Sequence, residues 1–297
     1  VEKTDALLDD KISEYKKEMS GLMTKDSSAY YEAQSVKYKY DTPEKSLQHL
    51  KECVEKDFPE LRGTSDSSSE DGAEISCEIK KIDKSLENSM SPAFYLTPAI
   101  DDYANNVIYV NGSEKYDLSK AFTTLAHEGY PGHLFQNCYF RAGNPNPLRC
   151  VIHVGGYTEG WGVYSEIYSY DKADLKKNVA KLLKLNTLLT LCIYAKADIG
   201  IHYTGWTYKE TQSFLSDYGF GKTSARAIFD SIVADPADYM QYTLGYLEIE
   251  GLEEKAKQTL KKDFDQKKFY EFFLSIGPSP FAVVENRMEE WMEQQKK

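Results

Sequence analysis

The chain has 297 residues, long enough to bury a sizeable core, and its 41% hydrophobic and 28% charged residues are ordinary for a globular protein. A formal net charge of −11 excludes the basic footprint of a nucleic-acid binder and opposes docking on anionic membranes. No apolar run approaches the roughly 18 residues of a membrane span, so no transmembrane segment is expected.

Residues 1–24 carry apolar positions at helical spacing and read as an amphipathic helix. Thr42-Pro43-Glu44 is a helix start, with Thr as N-cap and Pro at the first helical position, for a helix ending near Lys56. Segment 62–74 is polar and loop-like. Alternating or β-branched runs predict strands at 76–82, 93–96 and 106–110. From Leu118 the chain reads as helix, near 118–130, 157–170, 173–200, 207–218, 222–233, 237–262, 266–275 and 280–296. The expected fold is a single, mainly α domain with a small sheet before the key motif.

That motif is AFTTLAHEGYPGHLFQ, residues 121–136. His127-Glu128 followed by His133 is close to the zinc-hydrolase pattern H-E-x-x-H, in which two His on one helix face grip a metal and Glu reaches the attacking water. The two His stand six positions apart rather than four. At about 100° per residue a straight helix would aim them apart. The intervening Gly129-Tyr130-Pro131-Gly132 interrupts regular helix, and a bulge there is expected to return His133 to the metal side. The third ligand should come from another helix, TEGWGVYSE, through Glu159. Glu166, on the same face, is either a rival ligand or a group orienting a ligand His. Spacing alone leaves a metal site and a coincidental His-Glu pair both open.

HEGYPGHLFQ resembles the HExxPGHxxQ signature of the bacterial domain of unknown function 885 family, grouped with zincin-like metallopeptidases. Six further segments resemble the family in the same order: TPEKSLQHLKECVEKDFPEL, SPAFYLTPAIDD with NVIYVN, TEGWGVYSE, DIGIHYTGWT, QYTLGYLEIEGL and FYEFFLSIGPSPFAVVENRMEEW. The resemblance implies a zinc ion held by His127, His133 and Glu159, with Glu128 catalytic, and a chain corresponding to the C-terminal part of a longer protein. Two departures stand out: Tyr270 where the family usually has His, and Gly251-Leu252-Glu253 where it tends to carry Arg.

The family motif DIGIHYTGW favours a functional His202, donating to an oxyanion with Asp198 orienting it. Tyr242 holds the family's Tyr position; oxyanion support and plain interhelical packing are both open for it, and Tyr246 is its neighbour. His153 is a candidate for the cleft rim, whereas His49, Trp161 and Trp206 read as structural. The 23 tyrosines suit a wet cleft or reflect compositional drift. The five cysteines never form CxxC, which excludes a thiolate zinc site; a Cys138–Cys150 bridge stays open. The start at Val1 suggests a processed product, extracytoplasmic with its signal removed, or otherwise cytoplasmic. The reading is a zinc-dependent hydrolase of peptides or oligopeptides. Its alternatives are an inactive peptide- or partner-binding homologue and a hydrolase of other amides.

Overall fold

The computed structural model describes residues 1–61 and 75–296, so the loop expected at 62–74 lies outside the described residues. In chain order the elements begin with α1 (Glu2–Lys25), α2 (Ser27–Gln34), α3 (Pro43–Asp57), β1 (Ser76–Lys81), β2 (Ala93–Leu96) and β3 (Asn105–Val110). Then follow α4 (Phe122–Glu128), α5 (His133–Ala142), α6 (Gly155–Tyr170) and α7 (Lys177–Ile199). The last are α8 (Tyr208–Ser216), α9 (Lys222–Ala234), α10 (Asp238–Leu260), α11 (Gln266–Ile276) and α12 (Phe281–Gln295). The protein is thus mainly α with one small sheet, as its sequence predicts. The chain groups into two compact units: Val1–Val36 with Lys176–Gly245, and Lys37–Leu175 with Tyr246–Lys297.

The first unit is helical. Leu8, Ile12 and Tyr15 repeat at helical spacing on α1 and are buried, and α1 lies along α7. Lys196 of α7 reaches Asp5 and Asp9 at 2.8 and 2.9 Å. Helix α2 is absent from the sequence expectation. Asp26 creates it, ending α1 and accepting the Ala29 N–H as a new N-cap. Thr207 and Glu210 form a reciprocal capping box at the start of α8.

In the second unit, Thr42 caps α3 through the Lys45 N–H, as its sequence announces, and Leu47, Leu50 and Val54 face the core. The sheet has the order β1-β3-β2, with β1 parallel and β2 antiparallel to β3. Asn106, Ile108 and Val110 alternate inward along β3. Helix α4 lies between β2 and α6. The helix expected at 118–130 is shorter. A 3-10 turn at Leu118–Lys120, capped by Asp117, precedes α4, and α5 is a separate helix that the sequence expectation lacks. Cys138 and Cys150 are not bridged to each other; buried Cys138 lies beside the Tyr103 carbonyl and Asn106 instead.

An aromatic core forms around α6. Trp161 is stacked on Phe273 with ring centroids 5.1 Å apart, and Phe58 is stacked on Tyr270 at 4.2 Å. The two departures noted in the sequence meet beside it. Tyr164 donates to Glu253 at 2.6 Å and lies 3.2 Å from the Tyr270 hydroxyl. They bear on the seating of α6, not on the three ligand positions.

Candidate metal centre

The spacing problem between His127 and His133 is solved in the backbone. The Gly132 N–H donates to the Ala126 carbonyl at 2.9 Å, and the Phe135 N–H to the Gly129 carbonyl at 3.2 Å. Each bond spans six residues where a regular α-helix spans four. Two residues are therefore looped out, and His133 stands where a residue four beyond His127 would stand. A side chain at Gly132 would run into the carbonyl of His127, so only glycine fits this close crossing. The Tyr130–Pro131 peptide is cis. Trp161 fastens the loop to α6, donating its indole N–H to the Pro131 carbonyl at 2.8 Å.

Helix α6 supplies the carboxylates. Glu159 and Glu166 lie seven residues apart, two turns along one face. Glu159 Oε2 is 3.4 Å from His127 Nε2 and 3.4 Å from His133 Nε2. The two imidazole rings are perpendicular, with centroids 4.5 Å apart. Two donors each about 2.0–2.1 Å from a tetrahedral zinc would lie about 3.3–3.4 Å apart, so the spacing suits a shared ion better than a direct hydrogen bond. Among the described residues, His127, His133 and Glu159 form the one group of three such side chains with ligand atoms this close. Two imidazoles and one carboxylate leave a tetrahedral position open, which is the donor set of hydrolytic zinc.

The two His differ in their support. His127 Nδ1 is 2.6 Å from Glu166 Oε1, which places Glu166 against the ring's far nitrogen and outside the group of three. His133 Nδ1 is buried without a hydrogen-bond partner. The ring of His127 lies directly on α6 at Gly162, where a methyl group would run into the imidazole. Burial would lower the pKa of His127, but the Glu159 and Glu166 carboxylates outweigh it and hold the ring well above its ordinary value. Burial likewise opposes ionisation of Glu159, yet His127 and His133 hold that carboxyl far below the ordinary range.

Glu128 ends α4. Its Oε2 accepts the backbone N–H of Tyr95 on β2 at 2.8 Å. The remaining candidates are distributed as follows. His202 belongs to the first unit, in a π-helical turn at Gly200–Thr204, with Nε2 2.9 Å from the Ile232 carbonyl. The carbonyl can only accept, so Nε2 carries the proton. Asp198 is 4.0 Å from that nitrogen, beyond hydrogen-bond range, and accepts the Ala237 N–H at 3.2 Å instead. Tyr242, half-buried on α10, also counts with the first unit. Tyr246 donates to Glu250 at 2.8 Å. His153 is exposed just before α6. His49 is stacked on Tyr40 with ring centroids 3.7 Å apart, and its Nε2 lies 2.8 Å from the Lys172 carbonyl. Trp161 is buried core and Trp206 packs on Phe214. Sequence reasoning passed over Tyr95 and Gly162. Glycine inside a confident helix was the one signal available for the second.

Fold and site together define a mainly helical protein with a His-His-Glu cluster built on a two-residue helix insertion. The sequence profile of a family of bacterial proteins of unknown function, DUF885, matches residues 5–288, and the chain belongs to that family. Two solved structures share the fold. One is of a protein described as a candidate lipoprotein from Colwellia psychrerythraea, 20% identical, with a TM-score of 0.79 over 98% of this chain and 52% of that one. The other is of a protein described as a candidate lipoprotein of unknown function from Shewanella oneidensis, 20% identical, with a TM-score of 0.67 over 97% of this chain and 55% of that one. The chain thus spans about half the length of these relatives. None of the curated proteins matches it.

Proposed function

We propose that the chain is a zincin-like, metal-dependent peptide hydrolase, in which His127, His133 and Glu159 hold zinc and Glu128 is the general base. The observation that carries this reading is the pair of 3.4 Å spacings from Glu159 to the two imidazole nitrogens. The 2.6 Å brace from Glu166 to His127 supports it. Zinc, when bound, supplies a Lewis acid that polarises a carbonyl and makes water more acidic.

The chain's own residues do the rest. Glu166 holds the Nδ1 proton of His127, which leaves Nε2 to face the donor cluster. Glu128 takes the proton of the attacking water and delivers it to the departing amine. The lipoprotein descriptions of the two relatives fit an extracytoplasmic location, and among the described residues no helix is long and apolar enough to cross a membrane.

The test is metal analysis of the purified chain together with cleavage of a peptide library read by mass spectrometry. Stoichiometric zinc and metal-dependent cleavage are expected. Glu128→Gln should retain the metal while turnover falls about 10²–10⁴-fold, the usual worth of a general base. A chain that binds peptides without cutting them is a binding homologue, and cleavage confined to other amides makes it a different hydrolase. Absence of any stoichiometric transition metal overturns the proposal.

A further inference from the structure

We propose that Tyr95 is a positioning residue for Glu128, gripping the carboxylate with its backbone N–H while its phenol clamps that stretch of strand to the helix that bears His133. The inference rests on the hydrolase reading of the site.

β2 is an edge strand, antiparallel to β3, with Tyr95 opposite Ile108. Backbone groups along such a strand point alternately towards the partner strand and away from it. The Tyr95 N–H points away from β3 and donates to Glu128 Oε2 at 2.8 Å. With Oε2 engaged, Oε1 is the oxygen left to take a proton from water.

The strand is itself held by the Tyr95 hydroxyl, which donates to Asn106 Oδ1 at 2.7 Å and accepts from Asn137 Nδ2 at 2.9 Å. Asn106 is buried on β3, the diagonal neighbour of Tyr95 across the pair. Its amide nitrogen faces the carbonyls of Ser76, Tyr103 and Ala104 at 3.1, 3.0 and 3.2 Å. That side of Asn106 is saturated with acceptors, so its oxygen is turned to donors, the Tyr95 hydroxyl and the Cys138 thiol at 3.6 Å. Burial raises the pKa of the Tyr95 phenol, which keeps it a neutral donor. Asn137 lies one turn after His133 on α5. One residue therefore joins the helix that bears a metal ligand to the carboxylate that ends the other helix. A Phe at 95 would keep the ring contacts and lose the clamp; loss of the N–H alone would free the carboxylate.

Two substitutions in the full chain separate these functions. Replacing Tyr95 by its α-hydroxy acid through nonsense suppression turns the amide N–H into an ester oxygen and leaves the side chain intact. Tyr95→Phe removes only the hydroxyl. With zinc bound at unchanged affinity, kcat should fall on the order of 10-fold to 100-fold in the ester variant and less in Tyr95→Phe, with KM within twofold in both. In a Glu128→Gln background the ester should cause no further loss, because the two changes act through one group. Independently of activity, the Tyr95 amide proton in ¹⁵N-tyrosine-labelled protein should move upfield in Glu128→Ala. An unmoved amide proton, an ester variant of wild-type kcat, or an equal loss in the Glu128→Gln background overturns the proposal. A wild-type chain without metal-dependent turnover overturns the hydrolase reading, and this role with it, even where the amide shift confirms the contact.

Discussion

Two histidines in this chain sit at interruptions of a helix, and they are placed for different work. At His127 the interruption is the two-residue insertion of HEGYPGH. At His202 it is the π-helical turn of DIGIHYTGW, where the Trp206 N–H reaches back to the Gly200 carbonyl. Both motifs look functional in sequence, since irregular helical turns collect at functional sites. What separates them is what other elements bring to the ring. His127 has a carboxylate at each nitrogen, Glu159 at 3.4 Å and Glu166 at 2.6 Å. His202 has a backbone carbonyl at 2.9 Å and the Asp198 carboxylate at 4.0 Å. A carbonyl fixes a tautomer, whereas a pair of carboxylates also creates a place for positive charge.

The largest break in this contrast is expected from Gly162→Ala. Alanine is favoured over glycine inside a helix by about 1 kcal/mol. Here its methyl group would run into the His127 imidazole, and overpacking of a buried contact costs about 1–3 kcal/mol. The clash should win: the ring shifts off Glu159 and zinc affinity collapses, as read by competition with a chelator. An alanine variant that is more stable and binds zinc normally would show that the seat of His127 is not set by α6.

A smaller effect is expected from Glu166→Gln. The amide can still accept from His127 Nδ1 but carries no charge. Loss of such an orienting carboxylate typically lowers metal affinity about 10–100-fold. The corresponding change beside His202, Asp198→Asn, should leave zinc affinity untouched, because Asp198 belongs to no ligand group. If the two substitutions weakened zinc binding equally, the distinction between the two histidines would fail.

Much of this was legible before any coordinates. Residue types and spacing singled out His127, Glu128, His133, Glu159 and Glu166 but left a metal site open; the family resemblance favoured grouping His127, His133 and Glu159, which do lie together in the fold. The three strands and most helix ends follow from period and caps. The sequence does not show the i to i−6 hydrogen bonds that bring His133 into line. It shows only that glycine and proline permit them. Helix α2 was hidden because Asp26 restarts a pattern that looks continuous with what precedes it. Tyr95 was invisible for a different reason. Its contact with Glu128 is made by a backbone N–H that every residue but proline carries, and its clamp depends on Asn106 and Asn137, which meet it only in the folded chain.

The smallest expected effect concerns Asp198 and stability alone. The carboxyl is buried, Oδ1 accepts one N–H from Ala237, and Oδ2 has no partner. Burial raises its pKa above the ordinary value, although the Ala237 N–H and His202 pull the other way. A folded-state pKa above the unfolded one means that the fold favours the protonated acid. The stabilisation it gives is complete below the unfolded value of about 3.9 and is lost as pH rises through the raised folded value. Towards neutral pH that stabilisation is therefore lost. Asn keeps the acceptor for Ala237 and removes the charge. Asp198→Asn should be more stable than wild type at pH 7, on the order of 1 kcal/mol by denaturant unfolding, with the difference vanishing in acid below pH about 3.9. A difference that instead grew towards acid would mean that His202, at 4.0 Å, stabilises the carboxylate more than burial opposes it, making that pair a closer relative of the His127 site than its geometry indicates.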